Sequence, residues 1–154
     1  MNLGCRRARF VGLVICALAF FVSVSAFAKM PEGYKDIKLG MKRSQIVELL
    51  SKSPGHYSFE ELGDDITEVI RGDNLFRFAI YRFNPEDELT EIDLQMREIM
   101  GRDRVLELYN TEHGLSLTPN KVSVESNKSI EVKDNRLILK LAHDRDKRSA
   151  KGPK

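Results

Sequence analysis

Cysteine is scarce in this chain, and none of it lies beyond residue 28. Cys5 and Cys16 are the two cysteines among 154 residues, and both fall in an apolar segment at the start. If that segment is removed, the rest of the chain has no residue that can form a disulfide or a thiolate site. We therefore expect the folded part to be stabilised by the packing of its apolar side chains.

Residues that mark catalytic and metal sites are scarce as well. The three histidines, His56, His113 and His143, lie far apart and lack the spacing of a metal site. The acidic clusters lack the ligand order and the glycine of a calcium loop. No G-x-S-x-G, S-x-x-K, P-loop or G-x-G-x-x-G motif occurs. We therefore expect no enzyme activity, no cofactor and no metal.

The first 28 residues have the composition of a secretory signal. Arg6, Arg7 and Arg9 precede an apolar run over residues 10–27, which ends in an A-x-A pattern, so we expect cleavage after Ala28. An uncleaved membrane anchor is the alternative, because the run is about as long as a bilayer span. Both interpretations predict a periplasmic or secreted location for the rest of the chain.

Composition and charge limit the remaining chain to one small domain that does not attract nucleic acid. The full chain of 154 residues has 42% apolar and 31% charged residues, which suffices for one compact core, and we place that core at residues 29–142. Removing three arginines from 25 basic residues leaves 22 against 23 acidic residues, so no overall positive field remains.

The last segment, residues 143–154, carries five basic side chains and no large apolar one. This composition predicts a disordered basic tail. The tail is either simply solvated or in weak contact with an anionic envelope surface.

Two amphipathic helices are predicted, at residues 42–53 and 102–113, and each is followed by strands. Apolar alternation and turn residues predict three strands after each helix: 66–71, 75–83, 89–96, then 121–125, 129–133, 136–142. We therefore predict an α+β fold of tandem helix-plus-three-strand meander units, over about residues 37–96 and 97–142. The helices would pack on one face of an antiparallel sheet.

The register of the first meander determines which side chains are buried. A turn at residues 84–88 sets Phe78 against Leu94 and Ile80 against Ile92 on one buried face. A slip of one residue would bury acidic side chains of the second strand instead, which costs more free energy. We therefore expect the first register.

The opposite face of these strands is the predicted protein-binding surface. In this register it carries Arg77, Tyr81, Phe83, Leu89 and Glu91. Tyrosine and arginine beside apolar residues are typical of binding hot spots. The alternative is that another part of the chain simply covers this face.

One short motif lies at a predicted hairpin tip. Arg71-Gly72-Asp73 is the tripeptide that integrins recognise, and a hairpin tip is where such ligands are presented. A structural turn that uses Gly72 and Asp73 is the alternative explanation.

The entry to the first helix resembles a known family. The run Gly40-Met41-Lys42-Arg43-Ser44-Gln45-Ile46-Val47, followed by Leu49 and Leu50, resembles the opening of the BamE (SmpA/OmlA-like) family. The predicted architecture also looks like the tandem helix-and-sheet repeat of the β-lactamase-inhibitor-protein-like fold. Members of these groups are non-enzymatic envelope or secreted proteins that bind other proteins, and the resemblance implies the same here.

These observations predict a non-catalytic periplasmic or secreted protein-binding module, comparable to an envelope-assembly factor or an inhibitor. Its partner would be another envelope or secreted protein. The alternative is a binder of a lipid or another small apolar ligand between helix and sheet.

The signal prediction can be tested directly. Because the A-x-A pattern ends at Ala28, we expect mass spectrometry of the protein from the cell envelope fraction to find a chain that begins at Lys29. A chain that retains residues 1–28 would contradict cleavage and support the anchor.

Overall fold

The computed structural model describes residues 29–52, 59–98 and 101–141, and these contain two helices and nine strands. The predicted signal at 1–28 and the predicted tail at 143–154 lie outside the described residues. The elements, in chain order, are β1 Gly33–Tyr34, β2 Ile37–Lys38, α1 Arg43–Lys52, β3 Phe59–Leu62, β4 Asp65–Val69, β5 Phe76–Phe83, β6 Leu89–Met96, α2 Gly101–His113, β7 Val122–Glu125, β8 Lys128–Lys133 and β9 Arg136–Leu141.

Seven of the strands form one antiparallel sheet in the order β3-β4-β5-β6-β9-β8-β7. The pairing of β6 with β9 joins the strands that follow α1 to those that follow α2. Strands β1 and β2 form a separate two-stranded hairpin. Within the described ranges, β3 and β7 are therefore the edges of one continuous sheet.

The predicted tandem helix-plus-three-strand units are wrong. The protein is mostly β, with helix in 22% of the described residues; a hairpin precedes α1 and four strands follow it. The strand that the sequence pattern does not predict is β3, with the sequence Phe-Glu-Glu-Leu. An edge strand is paired on one side only, and three of its four residues are exposed, so it lacks the alternation of a half-buried strand.

Both helices and the β1–β2 hairpin pack on the same face of the sheet. The Phe76 ring centroid lies 6.4 Å from that of Tyr109 in α2 and 5.7 Å from that of Tyr34 in the hairpin. At the other end of β5, the guanidinium of Arg43 in α1 lies 4.5 Å from the centroid of the Phe83 ring. We call this side of the sheet the core face and the opposite side the outer face.

The core face carries the buried apolar side chains of the sheet. These are Ile66, Ile70, Phe76, Ala79, Tyr81, Leu89, Ile92, Leu94, Met96, Ile130, Val132, Leu137 and Leu139. They form one hydrophobic cluster with the helices, so a single core serves both halves of the chain.

Helix α1 begins after a tight turn that fixes it to the sheet. Gly40 has a φ of 88°, a left-handed conformation that favours glycine. The side-chain oxygen of Gln45 accepts a hydrogen bond from the Lys42 N–H at 3.0 Å. In a capping box the side chain three residues after the N-cap makes the same bond. Arg43 pairs with Asp87 in the β5–β6 turn at 3.2 Å, which fixes the start of the helix beside that turn.

A β-bulge in β5 changes the predicted register. Phe76 lies opposite Met96 and Phe78 lies opposite Gln95, so Arg77 is an extra residue in β5. An extra residue inverts the alternation of all positions that follow it.

The predicted faces of β5 are therefore wrong beyond the bulge. Tyr81, not Ile80, lies opposite Ile92, and Tyr81 is fully buried on the core face. Phe78 and Ile80 lie on the outer face instead.

The second set of strands follows its predicted register more closely. The turn residues at 134–135 predict that Ile130 lies opposite Leu139 and Val132 opposite Leu137, and the structure has both pairs. The turn residues at 126–128 predict that Val124 lies opposite Ile130, but Ser123 occupies that position, so β7 is displaced by one residue.

Burial of Tyr81 predicts a large effect of truncation. We expect Tyr81→Ala to lower the free energy of unfolding by about 3–5 kcal/mol, the range for large buried aromatic side chains. Lys133→Ala on the exposed end of β8 is the control and should change it by no more than about 0.5 kcal/mol. Urea denaturation measures both, and a Tyr81→Ala effect as small as the control would contradict the observed register.

Candidate functional site

The outer face of the sheet is the candidate functional site, and it holds two of the five predicted site residues. Arg77 and Glu91 lie on it. Tyr81 and Leu89 are fully buried on the core face, and Phe83 packs against the core. The bulge at Arg77 therefore separates Tyr81 and Phe83 from the outer face, and a second register shift, between Arg82 and Phe83, places Leu89 on the core face.

Arg77 and Phe78 lie side by side on the outer face. The guanidinium carbon of Arg77 is 5.5 Å from the centroid of the Phe78 ring, a cation–π contact. Its closest carboxylate in the described chain is that of Glu98, at 3.9 Å, and Glu98 is 81% exposed. The Nε of Arg77 is buried and has no hydrogen-bond partner among the described residues. The positive charge of Arg77 is therefore only weakly compensated.

Four apolar side chains of the outer face form a patch that we call the apolar centre. It consists of Val69, Phe78, Ile80 and Ile138. Val69 pairs with Phe78, and Asp93 of β6 separates Ile80 from Ile138 in the next row. Ile138 is 7% exposed, whereas the other three are more accessible. No described helix or hairpin packs on them, since those elements lie on the core face.

A row of alternating charges, which we call the charged row, crosses the sheet beside the apolar centre. Its members are Asp65, Arg82, Glu91 and Lys140 on four neighbouring strands. Arg82 Nε lies 3.5 Å from Asp65 and Lys140 Nζ lies 2.9 Å from Glu91, while Arg82 also pairs with Glu91. The charged row compensates its own charges and carries no net charge.

A buried carboxylate lies between Arg82 and Arg136 on the outer face. Asp93 is 1% exposed, and its Oδ2 is 3.0 Å from Arg136 Nη1 and 3.5 Å from Arg82 Nη1. Partial burial by itself lowers the pKa of Arg82, but the carboxylates of Glu91, Asp93 and Asp65 outweigh it and raise that pKa above its usual value. Both arginines are thereby held in place across the centre of the sheet.

A small cavity lies on the core face between α1, the hairpin and the sheet. Tyr34, Leu50, Glu68 and Tyr81 line it, and its volume is about 50 Å³. The Tyr81 hydroxyl donates to Glu68 at 2.6 Å, and burial together with the Glu68 charge raises the pKa of Tyr81 well above its usual value. Since a buried water needs about 10–15 Å³, this space suits a few waters and is too small for an acyl chain.

The Arg71-Gly72-Asp73 tripeptide forms a structural turn between β4 and β5. The Asp73 carboxylate accepts hydrogen bonds from the Tyr34 hydroxyl at 2.5 Å, from Leu75 N–H at 2.7 Å and from Phe76 N–H at 3.1 Å. Both of its oxygens are thus used within the protein, and the turn interpretation is the one that the contacts favour.

The described residues show no arrangement typical of a metal centre. Within residues 29–52, 59–98 and 101–141, no three His, Cys, Asp or Glu side chains are grouped to hold a metal ion. The His113 ring lies 5.4 Å from the Tyr109 ring, while His56 and His143 lie outside the described residues.

No protein-family model, curated protein or solved structure matches this chain. In the described part of the chain, no helix has the length and apolar character needed to cross a membrane. The resemblance of residues 40–50 to the BamE-like family stays a prediction.

The hydrogen bonds of Asp73 predict a dependence of stability on pH. Burial by itself raises the pKa of Asp73, but the bonds from Tyr34, Leu75 and Phe76 outweigh it, and the pKa lies below its ordinary value of 3.8. Ionised Asp73 therefore stabilises the folded state above that value, and this contribution is lost as the pH falls through the lowered pKa.

We expect Asp73→Asn to lower the free energy of unfolding at pH 7 by about 1 kcal/mol, because it weakens charge-assisted bonds at a half-buried site. The difference in the free energy of unfolding between Asp73→Asn and the native chain should shrink as the pH falls from about 5 to below the lowered pKa of Asp73. Asp134→Asn, in the exposed β8–β9 turn, is the matched control at pH 7. Denaturation at a series of pH values tests this, and a difference that is constant with pH would contradict it.

Proposed function

We propose that this protein is a non-catalytic module that binds another envelope or secreted protein through the outer face of its sheet. The observation that carries the proposal is the accessible apolar centre on a face that no described helix or hairpin covers. Partly exposed apolar side chains that adjoin one another are typical of protein-binding surfaces.

The composition of the outer face supports a binding role. Arg77 stacked on Phe78, with Ile80 beside them, combines arginine and an aromatic ring at a partly desolvated position, as binding hot spots do. Glu91 belongs to the charged row, which would influence the orientation of a partner more than its affinity. Phe78 and Ile80 therefore replace Tyr81, Phe83 and Leu89 in the proposed surface, and Glu91 lies at its border.

The polar groups of the core face support a structural role for the interior. Burial and the neighbouring Asp73 raise the pKa of Tyr34, as burial and Glu68 do for Tyr81, so both hydroxyls stay protonated near neutral pH. Such hydroxyls are engaged as hydrogen-bond donors to carboxylates and are poor candidates for a nucleophile or a base.

Ligand binding between helix and sheet has less support than protein binding. The cavity between α1, the hairpin and the sheet holds about 50 Å³, which is water-sized space. A wider depression of about 530 Å³ beside the start of α1 is lined mainly by charged side chains, which do not suit an apolar ligand: Lys42, Arg43, Glu61, Glu86 and Asp87. The predicted signal at residues 1–28 and the helix entry that resembles the BamE-like family add to the proposal of a protein-binding role in the envelope.

Photo-crosslinking in native cells tests the proposed surface. With benzoylphenylalanine at position 80 of the full chain, we expect one defined protein adduct, because the side chain at this position lies in the apolar centre. Phe78→Asp should remove the adduct, since a carboxylate in the apolar centre prevents its desolvation. Leu62→Asp is the matched control, because Leu62 is 61% exposed on the edge strand β3.

Thermal unfolding of both variants provides the folding control. An adduct that persists in a folded Phe78→Asp protein would show that the outer face is not the binding surface. If the adduct is absent from both Phe78→Asp and Leu62→Asp, binding is not confined to the apolar centre and this part of the proposal is contradicted.

A further inference from the structure

One end of the outer face is rich in positive charge, and we call it the basic end. It consists of Arg77, Arg97, Lys133 and Arg136. Arg136 lies opposite Gln95 of β6 on one side and opposite Lys133 of β8 on the other. Arg97 directly follows β6, and Arg77 borders the apolar centre beside Phe78. The four cations thus lie at the same end of the strands.

Few ion pairs within the described chain engage the cations of the basic end. Arg97 donates to the main-chain carbonyls of Asp73 at 2.8 Å and Ile70 at 3.2 Å, and neither it nor Lys133 has a salt bridge within the described chain. Asp93 pairs with Arg136 at 3.0 Å, and Glu98 approaches Arg77 only to 3.9 Å. Among the described residues, two carboxylates therefore form salt bridges with these four cations, and one of the two is largely in solvent. Asp73 and Asp134 lie in turns at the same end, but Asp73 accepts its hydrogen bonds from Tyr34, Leu75 and Phe76, and Asp134 is exposed.

We propose that the partner of the outer face is a protein element in which acidic side chains stand next to apolar ones. This inference rests on the proposed function and adds the chemistry of the partner. Carboxylates of the partner bind Arg77 and Arg136, while its apolar side chains pack on the apolar centre.

The two arginines are suited to carboxylate recognition. A guanidinium binds a carboxylate through two parallel hydrogen bonds, which fixes the direction of the contact. Arg77 is oriented in advance by the Phe78 ring and Arg136 by the buried Asp93, so little side-chain freedom is lost on binding. The side chains are 38% and 43% exposed, so a partner can reach both.

The distribution of charge favours a protein element over an anionic membrane. Asp65 and Glu91 in the charged row and Glu131 on β8 share the outer face with the basic end. A flat anionic surface would approach all of these carboxylates together with the arginines. A protein element can cover the basic end and the apolar centre alone, and leave the acidic positions in water.

Selection from a random peptide display library against the full chain tests the chemistry of the partner. We expect the selected peptides to carry aspartate or glutamate beside aromatic or aliphatic residues. Arg77→Glu should weaken their binding by at least about tenfold, because it replaces an attractive contact with a repulsive one. Arg136→Gln should weaken it less, since it removes the charge without reversing it. Lys121→Glu, at an exposed position beside β7, is the matched control and should leave binding unchanged.

The same selection separates the two proposals. If the selected peptides are as often neutral or basic as acidic, or if they bind the Arg77→Glu variant as tightly as the native chain, the acidic partner is overturned. If such peptides fail to bind the Phe78→Asp variant, the outer face is still supported as the binding surface. Peptides whose binding survives Phe78→Asp overturn both. Binding of the chain to phosphatidylglycerol vesicles that Arg77→Glu abolishes would identify an anionic membrane instead and overturn the acidic protein partner. Circular dichroism of every variant confirms that it is folded.

Discussion

An extra residue at Arg77 determines which side chains of β5 face the core, and the rest of the sheet depends on it. Because the bulge adds one position, Phe76 and Tyr81 both lie on the core face although five positions separate them. The same bulge places Arg77 and Phe78 together on the outer face. One local irregularity therefore completes the interior and also assembles the candidate binding surface.

The interior tolerates this arrangement because its polar groups are paired. Tyr81 brings a hydroxyl into the core, where it donates to Glu68 of the neighbouring strand β4. Tyr34 donates to Asp73, which ties the β1–β2 hairpin to the turn before β5. Unpaired, each hydroxyl would cost roughly 1–3 kcal/mol on burial, so these contacts help to define the register that the bulge allows.

The elements that depend on local pattern were predictable, and those that depend on distant contacts were not. Both helices were expected within a residue of their observed ends, because helical spacing and stop signals are local. The register of β8 and β9 followed from the two-residue turn at Asp134 and Asn135. The bulge at Arg77 had no sequence signal, since Phe-Arg-Phe-Ala-Ile-Tyr alternates well in either register. Burial of the Tyr81 hydroxyl depends on its hydrogen bond to Glu68 of β4. The residue pattern of β5 alone contains no information on that partner.

The two ends of the outer face have different electrostatic character, and this difference sets the requirements on a partner. The charged row pairs its own side chains, so a partner that covered it would have to desolvate ion pairs with little gain in return. At the basic end, Arg77 keeps a charge that one exposed glutamate compensates poorly. A partner therefore binds most tightly when it covers the apolar centre and the basic end. Extending the contact over Asp65 and Glu91 would weaken binding. Selectivity would then arise from the position of the partner's charges, while affinity arises from burial of Phe78 and its apolar neighbours.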